Sequence, residues 1–86
     1  MTYLEELKEI IQPKLSEKDI KILPKTGSIR LVKDMQVVMT INDKGDYVEL
    51  EVGGKVYKYD KWYTKPKHLA VVILRQFGFE IEPTSV

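Results

Sequence analysis

The stretch MQVVMTINDKGDYVELEVGGKVYKYD, residues 35–60, decides the fold. Gly53-Gly54 reads as a two-residue hairpin turn, because glycine reaches positive φ without a steric penalty. A register centred there sets Val52 against Lys55, Leu50 against Tyr57 and Val48 against Tyr59. Glu49 and Lys58 then form an attractive cross-strand pair on the opposite face. A second turn over Asp43–Asp46, containing Gly45, reads as a four-residue loop that pairs Ile41 with Val48, Met39 with Leu50 and Val37 with Val52. A slip of one residue would turn Val37, Met39 and Ile41 to the wrong face, so burial selects this register. The expected product is an antiparallel meander of three strands. One face carries Val37, Met39, Ile41, Val48, Leu50, Val52, Tyr57 and Tyr59.

Upstream, Thr2 and Glu5 have the spacing of a capping box, and Leu4, Leu7, Ile10 and Ile11 fall on one helical face. Pro13 cannot continue a helix comfortably, so a helix over residues 2–12 is expected. Across residues 13–34, Ile20 and Ile22 alternate with charges, as do Ile29 and Leu31, around a turn at Pro24–Gly27. That pattern suits two short edge strands, although Ser16 could equally cap a short second helix. Downstream, Thr64 with Pro66 resembles a helix start and Gly78 its end, giving a helix over 65–77. The block Leu69–Leu74 is apolar almost all round, which fits either a strand or a helix covered on a second side; the helix is the reading adopted. Phe79 and Ile81 alternate with Glu80 and Glu82, which suits a short final strand.

An 86-residue chain makes one domain with a single modest core, expected over residues 1–82 with a disordered tail at 83–86. Without cysteine there is no disulfide framework and no thiolate metal site. The longest apolar run, Leu69–Leu74, is far below the ~20 residues a bilayer requires, and acids follow Met1 where a secretory signal needs bases. A cytoplasmic protein with no membrane partner is the expectation.

The charge is polarised. Residues 55–75 hold six basic groups (Lys55, Lys58, Lys61, Lys65, Lys67 and Arg75) against Asp60 alone, while the whole chain is only +1. Tyr57, Tyr59, Trp62 and Tyr63 are interleaved with them. Lysines attract phosphates and release counterions, and aromatic rings offer bases a stacking surface. Lys55, Lys58, Lys61, Trp62, Tyr63, Lys65, Lys67 and His68 are therefore the candidate nucleic-acid-binding residues. Lys61, Lys65 and Lys67 would contact phosphates, and Trp62 or Tyr63 would stack or wedge. The plain alternative is that Trp62 plugs the core while the lysines keep the domain soluble. The pI of about 7.9 also lies below the ~9 usual for specialised nucleic-acid domains.

Catalytic signals are absent from the pattern. His68 is the only histidine, which excludes His–Cys and multi-histidine sites and fits a solvated residue in the first turn of a helix. Gly53-Gly54-Lys55 lacks phosphate-loop spacing and lies between strands. Glu49 and Glu51 share a strand face, yet no third acid joins them with assurance, so salt-bridge decoration is the simpler reading. No catalytic residue, no metal ligand and no cofactor is expected.

The order helix, three antiparallel strands, helix resembles that of double-stranded RNA-binding domains. In those, a lysine-rich start of the second helix grips phosphates, and Thr64-Lys65-Pro66-Lys67 occupies that place here. The chain departs from the pattern through the long insert at 13–34, through Pro66 between the lysines, and through the lack of small alanines in Leu69–Leu74. Three strands followed by a helix are also similar to the sheet-reading DNA-binding domains of some integrases. Both likenesses are topological, and topology alone says little about function.

The fold expected is α+β: an antiparallel sheet of three to five strands, order α-(β-β)-β-β-β-α, with two helices packed on one face. The function expected is non-enzymatic nucleic-acid binding through a rim at residues 55–68. The alternative is a protein–protein interaction module, an adaptor or inhibitor, including a homodimer through Leu69–Leu74 or an exposed strand edge.

Overall fold

A computed structural model describes residues 1–80. Helix α1 (Tyr3–Ser16) leads into five strands, β1 (Lys21–Lys25), β2 (Ser28–Lys33), β3 (Gln36–Asp43), β4 (Tyr47–Val52) and β5 (Lys55–Asp60), followed by helix α2 (Pro66–Gln76). The strands form one antiparallel meander in sequence order. The expected α+β class is therefore observed, with the insert at 13–34 supplying the rest of α1 and the first two strands.

Helix α1 starts as its sequence dictates. The Thr2 hydroxyl accepts from the Glu5 amide at 3.2 Å, and the Glu5 carboxylate accepts from the Thr2 amide at 3.4 Å. Hydrogen bonding with Thr2, side chain first and then backbone, holds the Glu5 pKa below its ordinary value. The expected stop at Pro13 is overturned, because Pro13 lies inside the helix. An interior proline costs about 3 kcal/mol, and the full burial of Leu15 two residues further on offsets much of that at about 1.5–3 kcal/mol. The helix ends instead where Asp19 takes φ 58° and the Ile20 amide reaches back to the Leu15 carbonyl at 3.0 Å, with Ile20 buried beside it. Ser16 belongs to α1 rather than starting a second helix. Ile10, expected on the apolar face, lies 36% exposed at its edge.

The β4–β5 register matches the expectation pair for pair, from Val52↔Lys55 to Val48↔Tyr59. The β3–β4 register does not. Ile41 faces Leu50 and Asp43 faces Val48, two residues from the expected pairing. The turn is tighter than a four-residue loop: the Lys44 amide donates to the Tyr47 carbonyl at 2.9 Å around Gly45-Asp46, with Gly45 at φ 97°. A shift of two residues preserves which face each side chain occupies, so hydrophobic burial alone cannot choose between the two registers. Pairing between β3 and β4 runs from Thr40↔Glu51 to Asp43↔Val48. Val37 is consequently exposed rather than opposite Val52, and the β2–β3 register shifts by one residue beside it.

Two other turns needed the structure. The first hairpin turns at Thr26-Gly27, so Pro24 and Lys25 are strand residues paired with Ile29 and Ser28. β2 and β3 are joined at Asp34-Met35, both at positive φ without a glycine. At the other end of the chain Phe79 and Glu80 form no strand. Ile81 and Glu82, the end of the expected domain and the tail 83–86 lie outside the described residues.

The core gathers Leu7, Ile11 and Leu15 from α1, Ile29, Leu31, Met39, Ile41, Val48 and Leu50 from the sheet, and Leu69, Ala70, Ile73 and Leu74 from α2. Both helices thus cover one sheet face and touch each other. Leu69, Ala70, Ile73 and Leu74 are at most 3% exposed within the monomer, so they offer no dimer surface; Val71 and Val72 are half-buried. The α2 C-terminus closes through Gly78 at φ 86°, with the Phe79 amide donating to the Leu74 carbonyl and Lys18 Nζ donating to the Phe77 carbonyl. Among the described residues no helix is long and apolar enough to cross a membrane.

Candidate nucleic-acid interface

Strand β5 carries the chain to the turn Lys61–Thr64, which delivers it to the start of α2. Asp60 organises that turn. One carboxylate oxygen accepts from the Trp62 amide at 2.7 Å and the Tyr63 amide at 3.2 Å, while the Asp60 carbonyl accepts from the Thr64 amide at 2.8 Å. The Lys61 amide donates to the Asp46 carbonyl at 3.1 Å, tying the turn to the β3–β4 loop. Tyr3 of α1 donates its hydroxyl to the Thr64 carbonyl at 2.6 Å, tying it to the first helix.

Lys61 Nζ lies 2.6 Å from an Asp43 carboxylate oxygen and 5.7 Å from the centre of the Tyr3 ring. Burial raises the Asp43 pKa, but the Lys61 hydrogen bond, the Gly45 amide and the Lys61 charge outweigh it and hold the carboxyl below its ordinary value. Burial, aided by the Asp43 charge, pushes the Tyr3 hydroxyl up to about 12. The Lys61 charge, expected at a phosphate, is thus met within the fold by Asp43.

The other candidates divide by location. Lys55 follows the Gly53-Gly54 turn at the far end of β5, roughly 17 Å from Asp60 at about 3.3 Å per residue. Lys58 points to the sheet face away from the helices, with its ammonium 5.5 Å from the Tyr47 ring centre. Glu49 faces Lys58 in register as expected, yet its ion pair, at 3.9 Å, is with Lys44. Tyr59 is half-buried against the core, and Tyr57 is 38% exposed at the same face. Lys55 therefore lies away from the corner at 61–68, whereas Lys58 stands on the outer sheet face beside Tyr47, which pairs with Asp60.

What remains is a smaller cluster. Trp62 and Tyr63 are 75% and 81% exposed, so the indole does not plug the core. Lys65 Nζ lies 5.2 Å from the centre of the Trp62 ring. Lys65, Lys67 and His68 are exposed at the start of α2, whose first turn holds no acid and has no side-chain cap. Across a shallow cleft from Lys65, Pro66 and Lys67 stand Glu6, Glu9 and Ile10 of α1, with Met1. Among the described residues Lys65 and Lys67 make no ion pair, and Glu49 and Glu51 join no group of three or more potential metal ligands.

Sequence reasoning missed four residues that hold this corner: Tyr3, Asp43, Asp60 and Thr64. Asp60 had a local signal, an aspartate two residues before the amide it accepts from. Tyr3 and Asp43 had none, because their partners lie far away in the chain. No protein-family model, curated protein or solved structure significantly matches this chain.

Proposed function

We propose that this domain is a non-enzymatic binding module that contacts nucleic acid through Trp62, Tyr63, Lys65, Lys67 and His68. The observation that carries this reading is a pair of exposed aromatic rings on a turn fixed by Asp60, with the exposed Lys65 beside the indole. Two large rings left in water contribute nothing to the core, whereas a base stacked on either would remove apolar surface from solvent. Lys65 and Lys67 supply the phosphate attraction. With two such contacts, log affinity should fall against log salt with a slope of about −1.4, from roughly −0.7 per phosphate on a single strand. Anisotropy of labelled oligonucleotides against salt tests this. No binding of DNA or RNA at low salt removes the proposal, as does binding that survives the double change Lys65→Glu, Lys67→Glu.

A second reading has its own support. The cleft that sets Glu6 and Glu9 opposite Lys65 and Lys67, with Met1, Ile10 and Pro66 along it, has the mixed charge and apolar character of a protein-binding surface. A concentration-dependent mass in solution that is lost in Glu9→Lys would favour that reading. A strict monomer that binds oligonucleotides would favour the first.

A further inference from the structure

Resting on that nucleic-acid reading, we propose that the corner takes single-stranded nucleic acid, with unpaired bases stacked on Trp62 and Tyr63, in preference to duplex. Stacking requires an accessible base face. Inside a duplex both faces of each base are occupied by its neighbours, so the rings could engage only by wedging a step apart, at a cost of a few kcal/mol. Proteins that wedge duplexes offset that cost by wrapping additional charged surface around the bent helix.

Among the described residues, the far side of the cleft lacks the surface to do so. Lys65 and Lys67 lie on one side of the cleft, and Glu6 and Glu9 line the other. On the sheet side, the face away from the helices is mixed in charge: Glu49 and Glu51 stand there with Lys58, and Glu49 pairs with Lys44. Duplex DNA carries two phosphate rows separated by grooves about 6 or 12 Å wide. A duplex seated on the lysines with its second row across the cleft would hold that row over Glu6 and Glu9.

What projects is a short turn bearing two rings, already rigid before any ligand arrives. Bonds to Asp60, Asp46 and Tyr3 fix the backbone, so little ordering entropy remains to oppose stacking.

The chain has a single tryptophan, so selectively excited fluorescence reports this corner directly. The full chain would be titrated at low salt with oligo-dT, with oligo-U and with a blunt hairpin duplex of equal length. The expected result is quenching of Trp62 by one or both single strands, each bound at least about tenfold tighter than the duplex, since stacking is worth about 1–3 kcal/mol per base. Quenching by dT alone or U alone supports the proposal and shows which kind of strand is preferred. Anisotropy with labelled probes should show the preference abolished in Trp62→Ala and retained in Trp62→Phe. Duplex bound as tightly as single strand overturns the proposal while leaving the corner a nucleic-acid site. Single-strand binding indifferent to Trp62→Ala also overturns it. Silence with all three probes removes the underlying reading itself.

Discussion

The two halves of the basic segment have similar composition and opposite outcomes. Lys55–Asp60 is a strand, and Lys61–His68 is a turn entering a helix. A strand alternates its side chains between two faces, so Lys58 goes to the outer face of the sheet while Tyr57 and Tyr59 turn to the helix-covered face. A turn has no such alternation, and it leaves Trp62 and Tyr63 exposed with Lys65 beside the indole. In this segment the exposed rings and lysines gather where the strand gives way to the turn and the start of α2.

The sharpest way to break that contrast is to reverse charge in each half. Lys65→Glu with Lys67→Glu should weaken oligonucleotide binding on the order of 10- to 100-fold at low salt, read by anisotropy. Trp62→Ala should cost about 1–3 kcal/mol of single-strand affinity without altering thermal stability, because the ring is exposed. Asp60→Ala removes the acceptor for two turn amides; about 1 kcal/mol of folding stability should be lost in urea denaturation, with weaker binding as the turn loosens. Lys55→Glu should change affinity by less than about threefold, since it lies at the far end of β5 and charge effects are screened beyond about 10 Å. A larger effect there would mean that the strand half belongs to the interface after all.

The network beneath the turn has a pH signature at each end of the scale. The folded Asp43 pKa lies below its unfolded value near 3.8, so the unfolded state binds more protons in that window. Its contribution is complete above that value and is lost as pH falls through the folded pKa. Tyr3 behaves in the opposite sense. Its folded pKa is raised from 10.0 to about 12, so its contribution is complete below pH 10 and is lost as pH rises toward 12. Asp43→Asn should remove part of the acid loss and Tyr3→Phe part of the alkaline loss, both followed by urea midpoints against pH.

Much of the architecture could be read from local chemistry. The Thr2–Glu5 capping box, the Gly53-Gly54 turn and the Gly78 terminus each rest on residues within a few positions of one another. The misreadings share a different cause. Pro13 stays helical because Leu15 and Ile20 find the core, and Asp19, Asp34 and Met35 take left-handed conformations usually left to glycine. The β3–β4 register was ambiguous by two residues, and the tight Gly45-Asp46 turn settled it.

The amino-acid order alone determined the α+β class, the last hairpin and the segment in which the exposed rings and lysines occur, because capping, turn formation and hydrophobic alternation act over a few residues. Only the tertiary structure decided which of those residues share a surface. Lys61 is neutralised by Asp43, eighteen positions earlier, and the turn is anchored through Tyr3, sixty-one positions from Thr64. Contacts at such separations leave no pattern in the local sequence, since they exist only once chain folding has brought the ends of α1, β3 and β5 together.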